Sequence, residues 1–164
     1  MKKIILAGGC FWGIEAYFQR VTGINKTIVG YIDGLTDNPT YEEVCDGSGH
    51  AEAVYIEYNE HEITLTKILK HLFRIIDPTQ INRQGNDFGV QYRSAIYYFD
   101  IEDKEIAEKY IKELQSKYAK PIQTSVLLAS RFYEAEAYHQ KYLDKVPNGY
   151  CHINLNILKE DIDD

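Results

Sequence analysis

The chain has 164 residues, of which 45% are apolar and 26% are charged, a balance typical of one globular domain rather than of a disordered chain. Asp and Glu number 25 against 18 Lys and Arg, which gives a formal net charge of −7. Because phosphate groups bind to basic surfaces, this charge argues against nucleic acid or an anionic membrane as the main partner. We therefore predict a single domain over residues 1–164, in which residues 160–164 form an acidic, solvated end.

The start of the chain resembles a secretory leader but is too short to be one. No apolar run approaches the ~20 residues that are needed to cross a bilayer. Two lysines and a short apolar run precede a cysteine, and that run, residues 4–7, is shorter than the roughly 7–15 residues of a leader's apolar core. We therefore predict that the chain begins with a β-strand and that the protein is cytoplasmic.

The three cysteines, Cys10, Cys45 and Cys151, lie far apart in the sequence. No Cys-x-x-Cys pair is present, which argues against a structural zinc site and against a thioredoxin-type motif. An odd number of cysteines without a leader also argues against the disulfide framework of a secreted domain. A redox or nucleophilic role for one or two of these thiols is left open.

The apolar pattern predicts strand, helix, strand and strand in the first part of the chain. Residues 2–7 form a β-prone run that ends at paired glycines, and the apolar side chains that follow recur at helical spacing until Gly23. β-branched residues then predict strands over 24–33 and 51–58. The segment 34–49 between these strands is rich in Gly, Asn, Pro, Thr and Ser, and is predicted to be a loop.

The second part of the chain continues the alternation of helices and strands. Its predicted elements are a helix capped by Thr64 and ended by Asp77-Pro78, a polar loop over 80–91, a strand over 94–99, a helix opened by Asp100 and ended by Pro121, a strand over 122–128 and a helix over 134–146. The order β-α-β-β-α-β is that of the ferredoxin-like two-layer α/β plait. We therefore predict an α+β fold of this type with extra elements and an irregular C-terminal tail.

Cys10 lies where a glycine-rich turn becomes a helix. The first amides of a helix are unpaired and carry partial positive charge, so a thiol at this position is expected to be biased toward the reactive thiolate. Cysteine is also a common small buried residue, and position alone does not separate the two interpretations.

Two aromatic residues, Phe11 and Trp12, directly follow this cysteine. Gly13 comes next, where a glycine weakens a helix by about 1 kcal/mol, so we expect a packing or functional reason for it. Aromatic surfaces beside a thiol suit an apolar, polarisable group such as a thioether methyl.

Five ordered segments of the sequence resemble the motifs of the peptide methionine sulfoxide reductase A family. They are Gly8-Gly9-Cys10-Phe11-Trp12-Gly13-Ile14-Glu15, Asn38-Pro39-Thr40-Tyr41-Glu42-Glu43-Val44-Cys45, Gly49-His50-Ala51-Glu52-Ala53-Val54, Gln84-Gly85-Asn86-Asp87-Phe88-Gly89-Val90-Gln91-Tyr92-Arg93-Ser94 and Gly149-Tyr150-Cys151. Because these segments keep their order over most of the chain, the resemblance is specific. It implies a peptide-methionine (S)-S-oxide reductase that acts on free and protein-bound methionine sulfoxide and repairs oxidative damage.

The resemblance also implies a role for each residue that aligns with a family site. Cys10 attacks the sulfoxide sulfur, Glu52 meets the sulfoxide oxygen, and Cys151 closes a disulfide with Cys10. The remaining family positions form the substrate pocket, and they align with Phe11, Trp12, Tyr41, Asp87 and Tyr92.

Elementary chemistry agrees with these implied roles. A sulfoxide oxygen leaves poorly unless it gains a proton, and a carboxyl group among aromatic side chains resists ionisation, so Glu52 could stay protonated and donate. Tyr41 and Tyr92 could donate to the same oxygen. Removal of the oxygen leaves Cys10 as a sulfenic acid, which a second thiol condenses to a disulfide. Taken singly, however, Glu52 in an alternating strand would be read as a solvent-facing residue and Asp87 as a turn former.

The C-terminal part departs from the pattern of many family members, which carry two recycling cysteines there. No cysteine follows Cys151, so the Cys10–Cys151 disulfide is expected to meet thioredoxin directly, by thiol–disulfide exchange. Residues 147–164 are predicted to be a flexible tail that carries the resolving cysteine. The resemblance implies a monomer with no metal, flavin or nicotinamide of its own.

Two other classes of function are weighed against this one. A hydrolase or transferase would pair Cys10 with His139 as its base, and would need the two side chains within hydrogen-bonding reach. A metal-binding module would use Cys45 with His50, or Cys151 with His152, but neither pair has a matching second half. If neither alternative holds, these residues have structural roles. We then expect Cys45 to be structural, His50 to order its loop and His139 to pack or lie at the surface.

Overall fold

The computed structural model describes residues 1–162, and the last two residues of the predicted acidic end lie outside them. It shows a mixed α+β fold. The strands are β1 (Lys2–Gly8), β2 (Ile24–Ile32), β3 (Ala51–Tyr58), β4 (Arg83–Gln84), β5 (Asp87–Phe88), β6 (Ser94–Tyr98), β7 (Ser125–Leu128) and β8 (Tyr133–Glu134). The helices are α1 (Phe11–Phe18), α2 (Tyr41–Cys45), α3 (Leu65–Ile75), α4 (Ile101–Leu114) and α5 (Tyr142–Lys145), and 3-10 turns lie at Val90–Tyr92, Gln115–Lys117, Ala137–His139 and Leu155–Lys159.

Six of these strands form one sheet in the order β7-β6-β1-β3-β2-β8. β1 lies between β3 and β6 and is antiparallel to both, and β2 is antiparallel to β3 and β8. Only the β6–β7 pair of this sheet is parallel among the described strands. This order brings the C-terminal ends of β1 and β2 together with the N-terminal ends of β3 and β6. Loops from four strands therefore meet at one end of the sheet.

The two faces of the sheet bury different amounts of apolar surface. Ile4 and Leu6 of β1 point toward the helices and join a large cluster with side chains of α1, α3 and α4. Ile5 and Ala7 alternate to the other face, where a smaller cluster forms. Because each fully buried aliphatic side chain stabilises the fold by roughly 1.5–3 kcal/mol, the helix-covered face is the main core.

The start signals predicted for two helices are confirmed. The Thr64 hydroxyl accepts a hydrogen bond from the Lys67 amide, and the Asp100 carboxylate accepts one from the Asp103 amide. Each bond satisfies an amide that the first turn of a helix leaves without a partner. Among the described helices, none is both long and apolar enough to span a membrane.

The helix predicted over residues 134–146 is wrong. Its place is taken by β8, a 3-10 turn and the short helix α5. Lys141 adopts a left-handed conformation with φ 52°, and its amide donates to the buried Glu15 carboxylate at 2.7 Å. The Gln140 side chain bonds to both backbone groups of Val29, in the manner of a further strand residue. These bonds to α1 and β2 replace the bonds of a continuous helix.

Two segments that the sequence predicted to be loops contain regular structure. The loop predicted over 34–49 holds α2, which a reciprocal capping box between Thr40 and Glu43 begins. The loop predicted over 80–91 holds the β4–β5 hairpin. The strand predicted over 122–128 is shorter, because its first residues bond to other loops instead of to β6.

Candidate active site

Cys10 lies at the end of the sheet where the loops converge. β1 ends at Gly8, Gly9 turns the chain with φ 96°, and α1 begins at Phe11. The sharp turn favours glycine because a side chain resists positive φ. Cys10 is 7% exposed, so only a small part of the thiol reaches the surface.

The surroundings of Cys10 correct the expectation of a ready thiolate. Burial, and next the negative charge of Glu52, raise the pKa of the Cys10 thiol above its ordinary value. The amides of Trp12 and Gly13 favour the thiolate, although the thiol makes no capping hydrogen bond of ordinary geometry. The substrate-free site therefore holds a protonated Cys10, and protonation of Glu52 removes part of the repulsion that opposes its ionisation.

Glu52 reaches the site from the start of β3. It shares a face of the strand with Val54 and Ile56, which lie in the helix-covered core, and it is only 1% exposed. The interpretation of Glu52 as a solvent-facing strand residue is therefore wrong. Its Oε1 accepts a hydrogen bond from the Phe11 amide at 3.1 Å, whereas its Oε2 is buried without a hydrogen-bond partner among the described residues.

This environment keeps Glu52 largely protonated. Burial raises its pKa to about 8, the Phe11 amide opposes the shift, and the charge of Asp87 adds to it. A protonated Oε2 that faces no protein partner can donate to a bound oxygen. The direction of this pKa shift agrees with the expectation that the fold disfavours the carboxylate form of Glu52.

Two tyrosines converge on the same carboxyl group. Tyr41 begins α2, and Tyr92 ends the turn that leads into β6. Burial, and next the charge of Glu52, raise the pKa of both phenols above their ordinary value. Both hydroxyls therefore remain hydrogen-bond donors at neutral pH.

The two aromatic residues after Cys10 are held by a histidine that lies between them. The His139 ring centre is 5.1 Å from that of Phe11 and 4.6 Å from that of Tyr41. The Trp12 indole N–H donates to His139 Nδ1 at 2.9 Å, and the indole stacks on Tyr142 with ring centres 3.8 Å apart. Because His139 is fully buried and bonded to the indole, it fixes the orientation of Trp12.

Asp87 faces the site from β5 and is tied to the C-terminal tail. Its Oδ2 accepts a hydrogen bond from the Tyr150 hydroxyl at 2.9 Å. Burial, and next this bond, raise the pKa of Tyr150 to about 12. The bond joins the β4–β5 hairpin to the residue that precedes Cys151.

Cys151 packs against the first turn of α1. A Cβ atom on Gly13 would lie 3.1 Å from Cys151 Sγ and 3.2 Å from Ile153 Cδ1. The absence of a side chain at Gly13 thus lets the tail approach the helix, which confirms the expected packing reason for this glycine. The Cys151 thiol donates to the Ile153 carbonyl at 3.2 Å, and all three cysteines are free thiols.

Comparison with known proteins shows the family of the chain. The family model for peptide methionine sulfoxide reductase matches residues 2–164. The chain belongs to the peptide methionine sulfoxide reductase family. It is 57% identical over 162 residues to the reductase MsrA of Clostridium acetobutylicum, across 98% of this chain and 99% of that one.

Solved structures give the same result. The crystal structure of reduced Mxr1 from Saccharomyces cerevisiae matches with a TM-score of 0.89 and 39% identity, over 93% of this chain and 91% of that chain. The structure of Mxr1 in complex with Trx2 matches with a TM-score of 0.63 and 29% identity, over 86% and 84% of the two chains.

The candidate site contains two residues that sequence reasoning did not assign to it. His139 was expected to pack or to lie at the surface, and it is buried with a hydrogen bond from Trp12. Tyr142 stacks on the same indole. Both lie in the segment wrongly predicted to be one helix, where an aromatic-rich run next to a histidine was the available signal.

The alternative functions find no support in the geometry of the site. His139 Nδ1 is occupied by the Trp12 indole, and Nε2 is buried without a partner among residues 1–162, so no Cys10–His139 hydrogen bond exists there. His50 bonds through Nε2 to the Thr36 carbonyl at 2.7 Å, which confirms its expected role in the loop. In the described part of the chain, no three His, Cys, Asp or Glu side chains are placed to hold a metal ion.

Proposed function

We propose that this chain reduces the S epimer of methionine sulfoxide, free or in proteins, through a Cys10 sulfenic acid and a Cys10–Cys151 disulfide. The observation that carries this proposal is the buried Glu52 carboxyl near the Cys10 turn, whose Oε2 has no hydrogen-bond partner among residues 1–162. A sulfoxide is a polar S–O group with apolar substituents, so it needs one proton donor and an apolar wall. The site supplies both within one cluster of side chains.

In the first half of the reaction, the Cys10 sulfur attacks the sulfoxide sulfur. Glu52 donates its proton to the sulfoxide oxygen, while Tyr41 and Tyr92 donate hydrogen bonds to the charge that develops there. The proton lost by the Cys10 thiol restores the Glu52 carboxyl over the step. The hydroxyl group then moves from the substrate sulfur to the Cys10 sulfur as the bond between the two sulfur atoms breaks, which leaves methionine and a Cys10 sulfenic acid. The substrate sulfur is reduced by two electrons, and the Cys10 sulfur is oxidised by two.

The aromatic pocket selects the substrate. Phe11 and Trp12 hold the S-methyl group by dispersion and polarisation, which suit a thioether better than a hydroxyl or a charge. Asp87 accepts from donors on the methionine backbone side of the site. With the methyl group and the oxygen held at separate positions, only one sulfoxide epimer presents its sulfur to Cys10.

In the second half, the Cys151 thiol attacks the Cys10 sulfenic acid, and water leaves. Thioredoxin then reduces the disulfide by exchange, and the complex of yeast Mxr1 with Trx2 supports a partner of this kind. Tyr150 bonds to Asp87 of the β4–β5 hairpin and Cys151 packs against Gly13 of α1, so this part of the tail starts close to Cys10. No metal, flavin or nicotinamide takes part in the proposed cycle.

We also propose that the core of the fold is a ferredoxin-like plait. Taken alone, β1, β2, β3 and β6 with α1 and α3 have the β-α-β-β-α-β order and the strand arrangement β6-β1-β3-β2, which support a ferredoxin-like plait as the core. The single-domain organisation, the monomeric state and the cytoplasmic location stay predictions from the sequence.

A thiol count tests the proposed cycle. The reduced enzyme receives stoichiometric methionine S-sulfoxide without a reductant, and free thiols and methionine are measured. We expect the loss of about two thiols for each methionine formed, because one turnover ends in a disulfide. The Cys10→Ser variant should form no methionine. Methionine formation without any loss of thiols would remove the disulfide from the mechanism.

A further inference from the structure

His152 follows the resolving cysteine, and its imidazole lies between the two ends of the Cys10 turn. Its Nε2 is 3.3 Å from the carbonyl oxygen of Gly8. A Cβ atom on Gly9 would lie 3.1 Å from the same nitrogen, and one on Gly13 would lie 3.3 Å from Nδ1. The ring therefore fits into the space that two missing side chains leave on either side of Cys10.

The hydrogen bond to Gly8 selects one tautomer of this ring. A carbonyl oxygen can only accept, so Nε2 carries the proton and Nδ1 presents a lone pair. Nδ1 is buried and has no hydrogen-bond partner among the described residues. Burial also lowers the pKa of His152, which keeps the ring neutral at physiological pH.

His152 Nδ1 and the Cys151 sulfur both pack against Gly13 in the first turn of α1. The Gly13 Cβ position is 3.3 Å from Nδ1 and 3.1 Å from Cys151 Sγ. In this state the Cys151 thiol donates a hydrogen bond to the carbonyl oxygen of Ile153, which is too weak a base to take the proton of a thiol that must become a nucleophile. The free lone pair of His152 and the thiol that has to lose its proton therefore both pack against Gly13, without a hydrogen bond between them in this reduced state.

We propose that His152 is the general base of the resolving step, and that it takes the proton of Cys151 as this thiol attacks the Cys10 sulfenic acid. The inference rests on the proposed function, because it needs the Cys10–Cys151 disulfide. The Cys151 S–H bond breaks, its proton moves to Nδ1, and the new S–S bond forms as the S–O bond of Cys10 breaks. The leaving hydroxide takes the proton from Nδ1, so water is released and the imidazole is regenerated.

This step needs no further oxidant or reductant. The Cys10 sulfur is reduced from the sulfenic level to the disulfide level, and the Cys151 sulfur is oxidised from thiol to disulfide. His152 moves one proton and changes no oxidation state. The tie to Gly8 keeps the base at the Cys10 turn, where both reacting sulfur atoms must meet.

Two variants distinguish a role of His152 as a base from a purely structural role of its hydrogen bond to Gly8. In His152→Gln, the side-chain amide can still donate to the Gly8 carbonyl but offers no basic nitrogen, whereas His152→Ala loses both functions. Reduced enzyme is mixed with stoichiometric sulfoxide without reductant, and methionine and disulfide are followed in time. We expect methionine to form at the wild-type rate in both variants, and disulfide to form about 100-fold more slowly in both.

Chemical rescue completes the test. Added imidazole should accelerate disulfide formation in His152→Ala, because it can enter the vacated space and accept the proton, and it should leave the wild type unchanged. A wild-type rate of disulfide formation in His152→Gln would overturn the proposal, since the tie alone would then suffice. Equal slowing of methionine and disulfide formation would also overturn it. If neither product forms in the wild type, the proposed function itself fails.

Discussion

Replacement of Glu52 by Gln gives the sharpest test of the first chemical step. The Gln side chain has nearly the same size and can still bond to the Phe11 amide through its oxygen, but it cannot transfer a proton. With a pKa of about 8, Glu52 is about 90% protonated at pH 7, so the wild type holds its acid ready. Because a positioned general acid contributes about 100- to 10,000-fold, we expect kcat to fall by at least about 100-fold.

The same substitution, which lowers kcat, should raise the stability of the fold at alkaline pH. The folded protein binds the Glu52 proton more tightly than the unfolded chain, so ionisation destabilises the fold as the pH rises from about 4.5 toward 8. The shift corresponds to a penalty on the order of 5 kcal/mol above this range. The Glu52→Gln variant carries no such charge. At about pH 9 its unfolding midpoint should therefore lie at a higher denaturant concentration than that of the wild type.

The assay combines steady-state kinetics with denaturant unfolding at several pH values. Glu57→Gln is the matched control, because Glu57 lies on the same strand but its side chain accepts a hydrogen bond from Tyr55 at the other face of the sheet. We expect the control to keep both its activity and the wild-type pH dependence of stability. An active Glu52→Gln enzyme, or one that loses stability at alkaline pH, would refute the reasoning about this carboxyl.

Three further predictions follow from the site. Cys151→Ser should reduce about one equivalent of sulfoxide and then stop, because its sulfenic acid has no resolving thiol, and repeated turnover with thioredoxin as the sole reductant would contradict this role. Gly13→Ala should slow disulfide formation more than methionine formation in a single-turnover assay, since a Cβ there meets Cys151 Sγ at 3.1 Å. His139→Phe should raise KM about fivefold with a smaller change in kcat, because Trp12 loses a hydrogen bond worth about 1 kcal/mol, and an unchanged KM would show that the indole needs no such tie.

The strands and the long helices could be predicted because local signals agreed with the tertiary contacts. The short apolar run of β1 and the apolar stripe of α3 are visible in the sequence itself, and the caps Thr64 and Asp100 act within their own helices. The segment 134–146 could not be predicted in the same way. Its conformation depends on distant partners, since Glu15 captures the Lys141 amide and Val29 pairs with the Gln140 side chain.

In the candidate site, too, the sequence predicted the features that depend on local residues and missed those that depend on tertiary contacts. Motif resemblance identified Cys10 and Glu52, but the sequence could not show that Glu52 faces the core, because register decides the face of a strand and neighbours decide its burial. The thiolate prediction failed for a related reason: the helix amides were visible in the sequence, whereas burial and the charge of Glu52 were not. The His139–Trp12 bond joins residues far apart in the chain, so the aromatic-rich run around His139 did not show which residue the histidine contacts.

Trapping the oxidised cysteine tests the central claim most directly. The Cys151→Ser enzyme is treated with methionine S-sulfoxide in the presence of a 1,3-dione that reacts with sulfenic acids, and peptide mass mapping locates the adduct. The mechanism predicts an adduct on Cys10 in about equal amount to the methionine formed. Methionine released without an adduct on Cys10, or an adduct on Cys45 instead, would contradict it.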